Sequence, residues 1–166
     1  IQAVGMNPTR NALYDVLLKM GGAMALYNER QISGEIVADV VVKSSKLKAI
    51  DLSGATIANL IDEIPIFAIA AAAASGISKV ADAKELRVKE SDRIKTVCVE
   101  LAKLGVKTEE FPDGFSVVGG SEFMANEFDS HGDHRIAMSL SVAALLAQSS
   151  SKILDTDCVA TSFPSF

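Results

Sequence analysis

Ile64-Pro65-Ile66-Phe67-Ala68-Ile69-Ala70-Ala71-Ala72-Ala73-Ala74 is the longest apolar run in the sequence, and its tail comes round again 73 residues later. Ala70 to Ala74, followed by Ser78-Lys79-Val80, matches Ala143 to Ala147, followed by Ser151-Lys152-Ile153. Each copy reads as an almost wholly apolar helix and then a strand. A helix that is apolar all round offers no face to water, so it is expected in the interior. Small alanine side chains suit that position because they let neighbouring elements approach closely. The run of 11 residues is too short for the ~20 that span a bilayer.

A second repeat lies around the first. Asn7-Pro8-Thr9-Arg10 opens an amphipathic stretch that closes at Lys19-Met20-Gly21, and Glu90-Ser91-Asp92-Arg93 opens another that closes at Lys103-Leu104-Gly105. A polar residue at the start and a glycine at the end are helix start and stop signals. Each is followed by strand, turn and strand; in the second copy these are Val106 to Glu109, Pro112-Asp113-Gly114, and Phe115 to Val118. The repeating unit is therefore strand, buried helix, strand, surface helix and β-hairpin, an α/β arrangement with helices enclosed by sheets. With no linker or low-complexity stretch, residues 1–166 read as one continuous domain. Ile1-Gln2-Ala3-Val4 reads as a strand already under way. On the 73-residue offset Ser162 to Phe166 correspond to the lead-in to Arg93, so a further amphipathic helix is expected to be starting at Phe166. Both ends point to a fragment.

Composition narrows the function classes. Hydrophobic residues make up 49% and charged ones 22%, which is globular. A net charge of −5 argues against a nucleic-acid binder that relies on a basic face. The 2 cysteines, Cys98 and Cys158, are too few for a disulfide scaffold and make a reducing compartment the default. No charged segment followed by an apolar one opens the sequence as a signal peptide would.

The polar residues that break local rules carry the chemistry. Arg93 and Arg135 each fall in the first turn of a helix, where a cation opposes the helix dipole by ~0.3–1 kcal/mol. Either could be a surface arginine paired with Asp92 or Asp133. Alternatively, each helix N-terminus and its forked guanidinium could hold one anion between them, as suits phosphate or carboxylate. Lys89-Glu90-Ser91-Asp92-Arg93 reads either as a solvated, capped helix start or as a site in which Lys89 and Arg93 bind anions. In the second case Glu90, ionised between them, lies within reach of a proton transfer. Asp62-Glu63-Ile64-Pro65 puts carboxylates at the start of the most apolar helix, as caps or as a general base at the mouth of a buried element. Asp129-Ser130-His131-Gly132-Asp133-His134-Arg135 holds both histidines of the chain and raises a metal site. With neither cysteine adjacent and Arg135 repelling a cation, an anion site at the helix start is preferred. These loops form a site for a small polyanion only if they converge, which periodicity does not establish.

At these residues the sequence resembles the 5-enolpyruvylshikimate-3-phosphate synthase family. The resemblance rests on Leu86-Arg87-Val88-Lys89-Glu90-Ser91-Asp92-Arg93, Asp133-His134-Arg135-Ile136-Ala137-Met138 and Thr161-Ser162-Phe163-Pro164. Asn7-Pro8-Thr9-Arg10 and Asp62-Glu63-Ile64-Pro65 extend it over the whole chain. The Lys-Glu-Ser-Asp-Arg run separates this family from the sister transferases that act on a nucleotide sugar. The resemblance implies two domains, each of three βαβαββ units in an inside-out α/β barrel. Residues 1–166 would be most of the C-terminal domain, truncated before its extreme C-terminus, with the N-terminal domain absent.

The resemblance also implies transfer of the enolpyruvyl group of phosphoenolpyruvate to the 5-hydroxyl of shikimate 3-phosphate, with release of phosphate. This is a step of aromatic amino-acid biosynthesis in the cytoplasm, by a monomer with no metal and no cofactor. Asp62 would take the proton from the 5-hydroxyl, and Glu90 would handle the proton at the methylene carbon of phosphoenolpyruvate. Lys89 would contact shikimate 3-phosphate, Arg93 and Arg135 would grip phosphoenolpyruvate, and His134 would line the same site. Two positions depart from the pattern of some members. Thr161 stands where they carry a lysine, and Glu85 where they carry an asparagine. The site would need the N-terminal domain to be complete, so the chain alone is expected to be inactive. The competing readings are a sister enolpyruvyl transferase and a non-catalytic α/β repeat module whose charged loops serve only as caps.

Overall fold

The computed structural model describes all of residues 1–166. Its first unit runs β1 (Val4–Gly5), α1 (Ala12–Lys19), β2 (Ala23–Ile32) and β3 (Glu35–Lys43). Then come α2 (Ala55–Leu60), α3 (Ile64–Ala73), β4 (Ile77–Val80), α4 (Arg93–Lys103) and the hairpin β5 (Thr108–Phe111) and β6 (Gly114–Val118). The chain continues through β7 (Glu127–Asp129), α5 (His134–Ala144) and β8 (Lys152–Leu154). Single 3₁₀ segments, Lys84–Val88 and Thr156–Thr161, precede α4 and follow β8. They fall close to the same 73-residue offset as the alanine-rich helices, so the repeat extends to irregular structure.

The strands form three small sheets ordered β1-β3-β2, β4-β6-β5 and β7-β8. The first two are antiparallel, and β7 and β8 are parallel across the crossover helix α5. The equivalent crossover through α2 and α3 is sketchier. Ahead of α2 the expected strand is reduced to two parallel bridges, Lys48 with Ser75 and Leu52 with Val80. There Lys79 N–H turns aside to the Asp51 side chain at 2.9 Å, and Ile50 N–H to Ser78 Oγ at 3.2 Å, in place of a regular ladder.

Helix α3 lies at the centre, with Ile64, Phe67, Ala68, Ala71 and Ala72 at 0% exposure. Pro65 sits in its first turn, where a missing N–H costs nothing. The C-terminal end of α3 touches the hairpin with no room to spare. A Cβ on Gly119 would stand 2.1 Å from the Ala74 carbonyl oxygen, and at the end of β4 one on Gly114 would stand 1.9 Å from that of Val80. Around α3 one continuous apolar core takes in Met20, Leu60, Leu86, Ile94, Leu101, Phe115 and Phe128. Burying each of these larger side chains is worth about 1.5–3 kcal/mol before the entropy of ordering it.

Three expectations need correction. Ile1 to Val4 is not a continuous strand: Ala3 has φ +53°, with its N–H on the Asp39 carboxylate, which breaks the run before Val4. Helix α5 is not apolar-buried all round. It buries Ile136, Ala137, Leu140 and Ala143, but Val142 and, just past its end, Leu145 and Leu146 face water. Ser162 to Phe166 do not start a helix; they form a turn closed by Phe166 N–H on Phe163 C=O at 3.0 Å, with the two rings packed edge to face.

Candidate active site

Four loops or helix starts meet at one end of α3. The Asn7–Arg10 turn before α1, the Asp62-Glu63 junction between α2 and α3, the Lys89–Arg93 lead into α4, and the Ser130–Arg135 lead into α5 bring their charged side chains together. The α1 lead is held by an Asx turn, in which Asn7 Oδ1 accepts from Thr9 N–H at 3.0 Å. The α4 lead is capped by Asp92, which accepts from Lys95 N–H at 3.1 Å. Arg87 braces it, bonding Asp92 at 2.9 Å and Glu110 at 2.7 Å.

Asp62 is the focus. Its carboxylate lies 3.3 Å from Arg10, 3.4 Å from Arg93, 3.6 Å from Arg135 and 3.9 Å from Lys89. Burial pushes this carboxyl upward, but Arg135, the hydrogen bond from Arg10, Lys89 and Arg93 together hold it below its ordinary value. Neither Asp62 nor Glu63 caps α3, since no backbone N–H of that helix reaches either side chain. Their favourable place at the start of α3 is one of charge, without a capping hydrogen bond. Glu63 accepts from Arg135 at 3.0 Å and from Arg10 at 3.5 Å instead, and its Oε2 is buried without a partner.

Arg93 is not on the surface. Its side chain is 1% exposed and is joined to Asp133, itself at 0%, through Nε–Oδ2 at 2.8 Å and Nη2–Oδ1 at 3.2 Å. Glu90 receives a further bond from Nη2 at 2.7 Å. Burial lowers the proton affinity of the guanidinium, and Asp133, Glu90 and Asp62 more than restore it. Burial likewise raises the Asp133 carboxyl, while Arg93, the Arg135 N–H and Ser91 bring it below normal. Of the two expectations for Arg93, the carboxylate pair is the one realised. Asp133 also fills the N-terminus of α5 by accepting from Arg135 N–H at 2.9 Å, and Asp92 does the same for α4. Each cap satisfies one N–H of its helix's first turn.

The remaining expected residues fall in the same region. Lys89 bonds Glu85 at 3.0 Å and faces Asp62. Arg135 is about a third exposed and bonds Glu63. His134, half-buried at the first position of α5, makes no hydrogen bond to the rest of the chain. Residues of the Asp129–Arg135 segment diverge: His131 turns to Glu100 at 3.0 Å, while Asp133 turns to Arg93. They share no common point for a cation. Thr161 Oγ1 donates to the Cys158 carbonyl inside its own 3₁₀ turn.

Arg10, Ser91 and Glu100 are members of this network that carried no site role from sequence, whereas Asp133 was offered there as an arginine's partner and Glu63 as a cap or base. One signal could have found two of the partners. Arg93 and Glu100 fall on the stripe Arg93-Val97-Glu100-Leu101-Leu104 of α4, the spacing of its buried face, where a charge requires a buried partner.

The architecture is that of the enolpyruvyl transferase fold. The enolpyruvyl transferase NikO from Streptomyces tendae superimposes with a TM-score of 0.70 at 18% identity, over 99% of this chain and 36% of NikO. The family model for EPSP synthase (3-phosphoshikimate 1-carboxyvinyltransferase) matches residues 1–166, and the chain belongs to that family. The 3-phosphoshikimate 1-carboxyvinyltransferase of Syntrophotalea carbinolica is 49% identical over 166 residues, all of this chain and 38% of that protein. The solved EPSP synthase from Acinetobacter baumannii matches with a TM-score of 0.94 and 41% identity, over 99% of this chain and 39% of that structure. The chain thus spans less than two-fifths of the length of the relatives it matches.

Proposed function

We propose that this chain forms one wall of an active site that moves the enolpyruvyl group of phosphoenolpyruvate to the 5-hydroxyl of shikimate 3-phosphate. The observation that carries the reading is the convergence of Arg10, Lys89, Arg93 and Arg135 on the single carboxylate of Asp62. Two phosphorylated substrates need such a cationic wall. Addition of a hydroxyl across an enol double bond also needs one proton taken from oxygen and one delivered to carbon.

In this reading Asp62 accepts the hydroxyl proton as the oxygen bonds to C2 of phosphoenolpyruvate. Glu90, at the open end of the Arg93 pair, enters the addition in its protonated form, gives that proton to the methylene carbon and takes one back from it as the C2–O bond to phosphate breaks, while the proton held by Asp62 leaves with the phosphate. With four cations around it, Asp62 is a poor base in the empty site. Substrate anions that draw Arg135 and Lys89 onto themselves relieve it of part of that positive field, so binding raises its basicity when a base is needed. His134 has no partner within the chain and is free to face the substrates. Arg93, already fixed by Asp133, contributes its field and one remaining N–H.

The chain acts as most of a C-terminal domain, residues 1–166. The rest of the phosphate grip comes from the part of the relatives' length that it does not span. No helix is long and apolar enough to cross a membrane. From the family it belongs to, we place the enzyme in the cytoplasm, as a monomer. The experiment is phosphate release from the two substrates by the full-length enzyme and by its Glu90→Gln and Asp62→Asn variants. Loss of turnover with substrate binding kept supports the assignment. Undiminished turnover in both variants refutes it.

A further inference from the structure

We propose that Glu100 is a positioning residue: it clamps the turn 129–133 to α4, so that Asp133 can orient Arg93 and Arg135. The inference rests on the reading above of those arginines as the grip on phosphoenolpyruvate. Glu100 lies seven residues beyond Arg93 on the same face of α4, about 10 Å along the axis. It is 1% exposed. A carboxylate is costly to bury unless its oxygens are paired, and here they are. Oε2 accepts from Asp129 N–H at 3.2 Å, and Oε1 meets His131 Nε2 at 3.0 Å and Lys103 Nζ at 2.9 Å. Lys103 belongs to the same helix and would follow the carboxylate outward. The two partners that explain its inward direction both belong to the turn.

The turn is tightly closed on itself. His131 N–H bonds Asp129 Oδ1 at 2.7 Å, Gly132 N–H bonds Ser130 Oγ at 3.1 Å, and Asp133 N–H bonds Ser130 C=O at 3.0 Å. His131 and Gly132 both take left-handed backbone angles, φ +54° and +70°. A turn this constrained moves as a unit, so fixing its start fixes its end. Its end is Asp133, which holds the Arg93 guanidinium and the first turn of α5. Helix α4 therefore grips the turn twice, by Glu100 at the start and by Arg93 at the finish. β8 also holds the turn's start from the other side, through Ser130 N–H on Leu154 C=O at 3.3 Å, but without Glu100 the side facing α4 is left to Asp133, with its bonds to Arg93 and Ser91. A misplacement of 1 Å in such a grip is enough to weaken it.

The test uses the full-length enzyme carrying Glu100→Gln, and separately His131→Asn. The second residue is exposed, and asparagine tolerates the left-handed angle, so folding is not at stake there. In both variants the KM for phosphoenolpyruvate is expected to rise about three- to tenfold, with kcat within about twofold, as for lost uniform binding. The KM for shikimate 3-phosphate is expected to stay unchanged. Amide hydrogen exchange at Asp133 and Arg135, which needs no catalysis, is expected to speed up. A lower melting temperature with the phosphoenolpyruvate KM unchanged would overturn the proposal, as would unchanged exchange at those amides. A wild-type enzyme that releases no phosphate from the two substrates would instead contradict the proposed function, with the exchange result still deciding the clamp.

Discussion

Arg93 and Asp133, 40 residues apart in sequence, are joined by two hydrogen bonds of 2.8 and 3.2 Å in a place where neither side chain is more than 1% exposed. The pair ties the first turn of α4 to the first turn of α5, so the two helix starts that carry the charged cluster cannot move independently. Removing one partner of a buried pair leaves an uncompensated charge, which costs about 3–5 kcal/mol. Asp133→Asn is expected to lower the stability of the full-length enzyme by that amount in urea unfolding. A loss below about 1 kcal/mol would mean that Glu90 and Asp62 suffice for Arg93.

Acid sensitivity follows from three depressed carboxyls. Asp62 and Asp133 titrate below 3.8 when folded, and Asp39 is lowered to about 2 by the Ala3 N–H, Asn28 and Arg30. Since the unfolded chain binds these protons first, the three groups stabilise the fold above the unfolded value, and that stability drains away as pH falls. For Asp39 the window runs from 3.8 down to about 2. Urea midpoints measured from pH 6 to pH 2 should fall through this range, and Asp39→Asn should flatten part of the fall. A midpoint independent of pH below 4 would contradict the assignment.

The close approach of α3 and the β5–β6 hairpin gives a stability test far from the charges. In Gly119→Ala the new methyl would lie 2.1 Å from the Ala74 carbonyl oxygen and 2.5 Å from that of Ala71. Backbone on both sides must yield, so destabilisation of at least about 1–3 kcal/mol is expected in thermal or urea melts. A neutral substitution would show that the hairpin is free to shift.

The purified 166-residue chain is expected to release no phosphate from phosphoenolpyruvate and shikimate 3-phosphate, because it spans about 38% of its relatives' length and, in the proposed function, holds only one wall of the site. Turnover above background by the chain alone would place the whole site within these residues.

Much of the fold was legible because its signals are local or periodic. The apolar run from Ile64, the Gly21 and Gly105 stops and the 73-residue offset place α3, α1, α4, the hairpin and α5 within a few residues of their observed ends. Weakly paired segments were not legible. The strand ahead of α2 shrinks to two bridges, because side chains of Asp51 and Ser78 compete for its ladder. In the site, residue types and loops could be read, and Asp133 was one of two carboxylates offered to the arginines, but which arginine would take it could not. Nothing in periodicity links Arg93 to Asp133 or Glu100 to His131, and an arginine in a first turn reads by default as a surface residue. Its place on the buried stripe of α4 was the one available clue.

In the proposed function Asp62 is a base and not a structural carboxylate. The direct test is Asp62→Asn in the full-length enzyme, with kcat and melting temperature measured on the same preparation. For a base, kcat is expected to fall about 10²–10⁴-fold with the melting temperature within a few degrees of the parent. Turnover retained within about twofold, alongside a lowered melting temperature, would make Asp62 a structural anchor for its four cations and would contradict the claim.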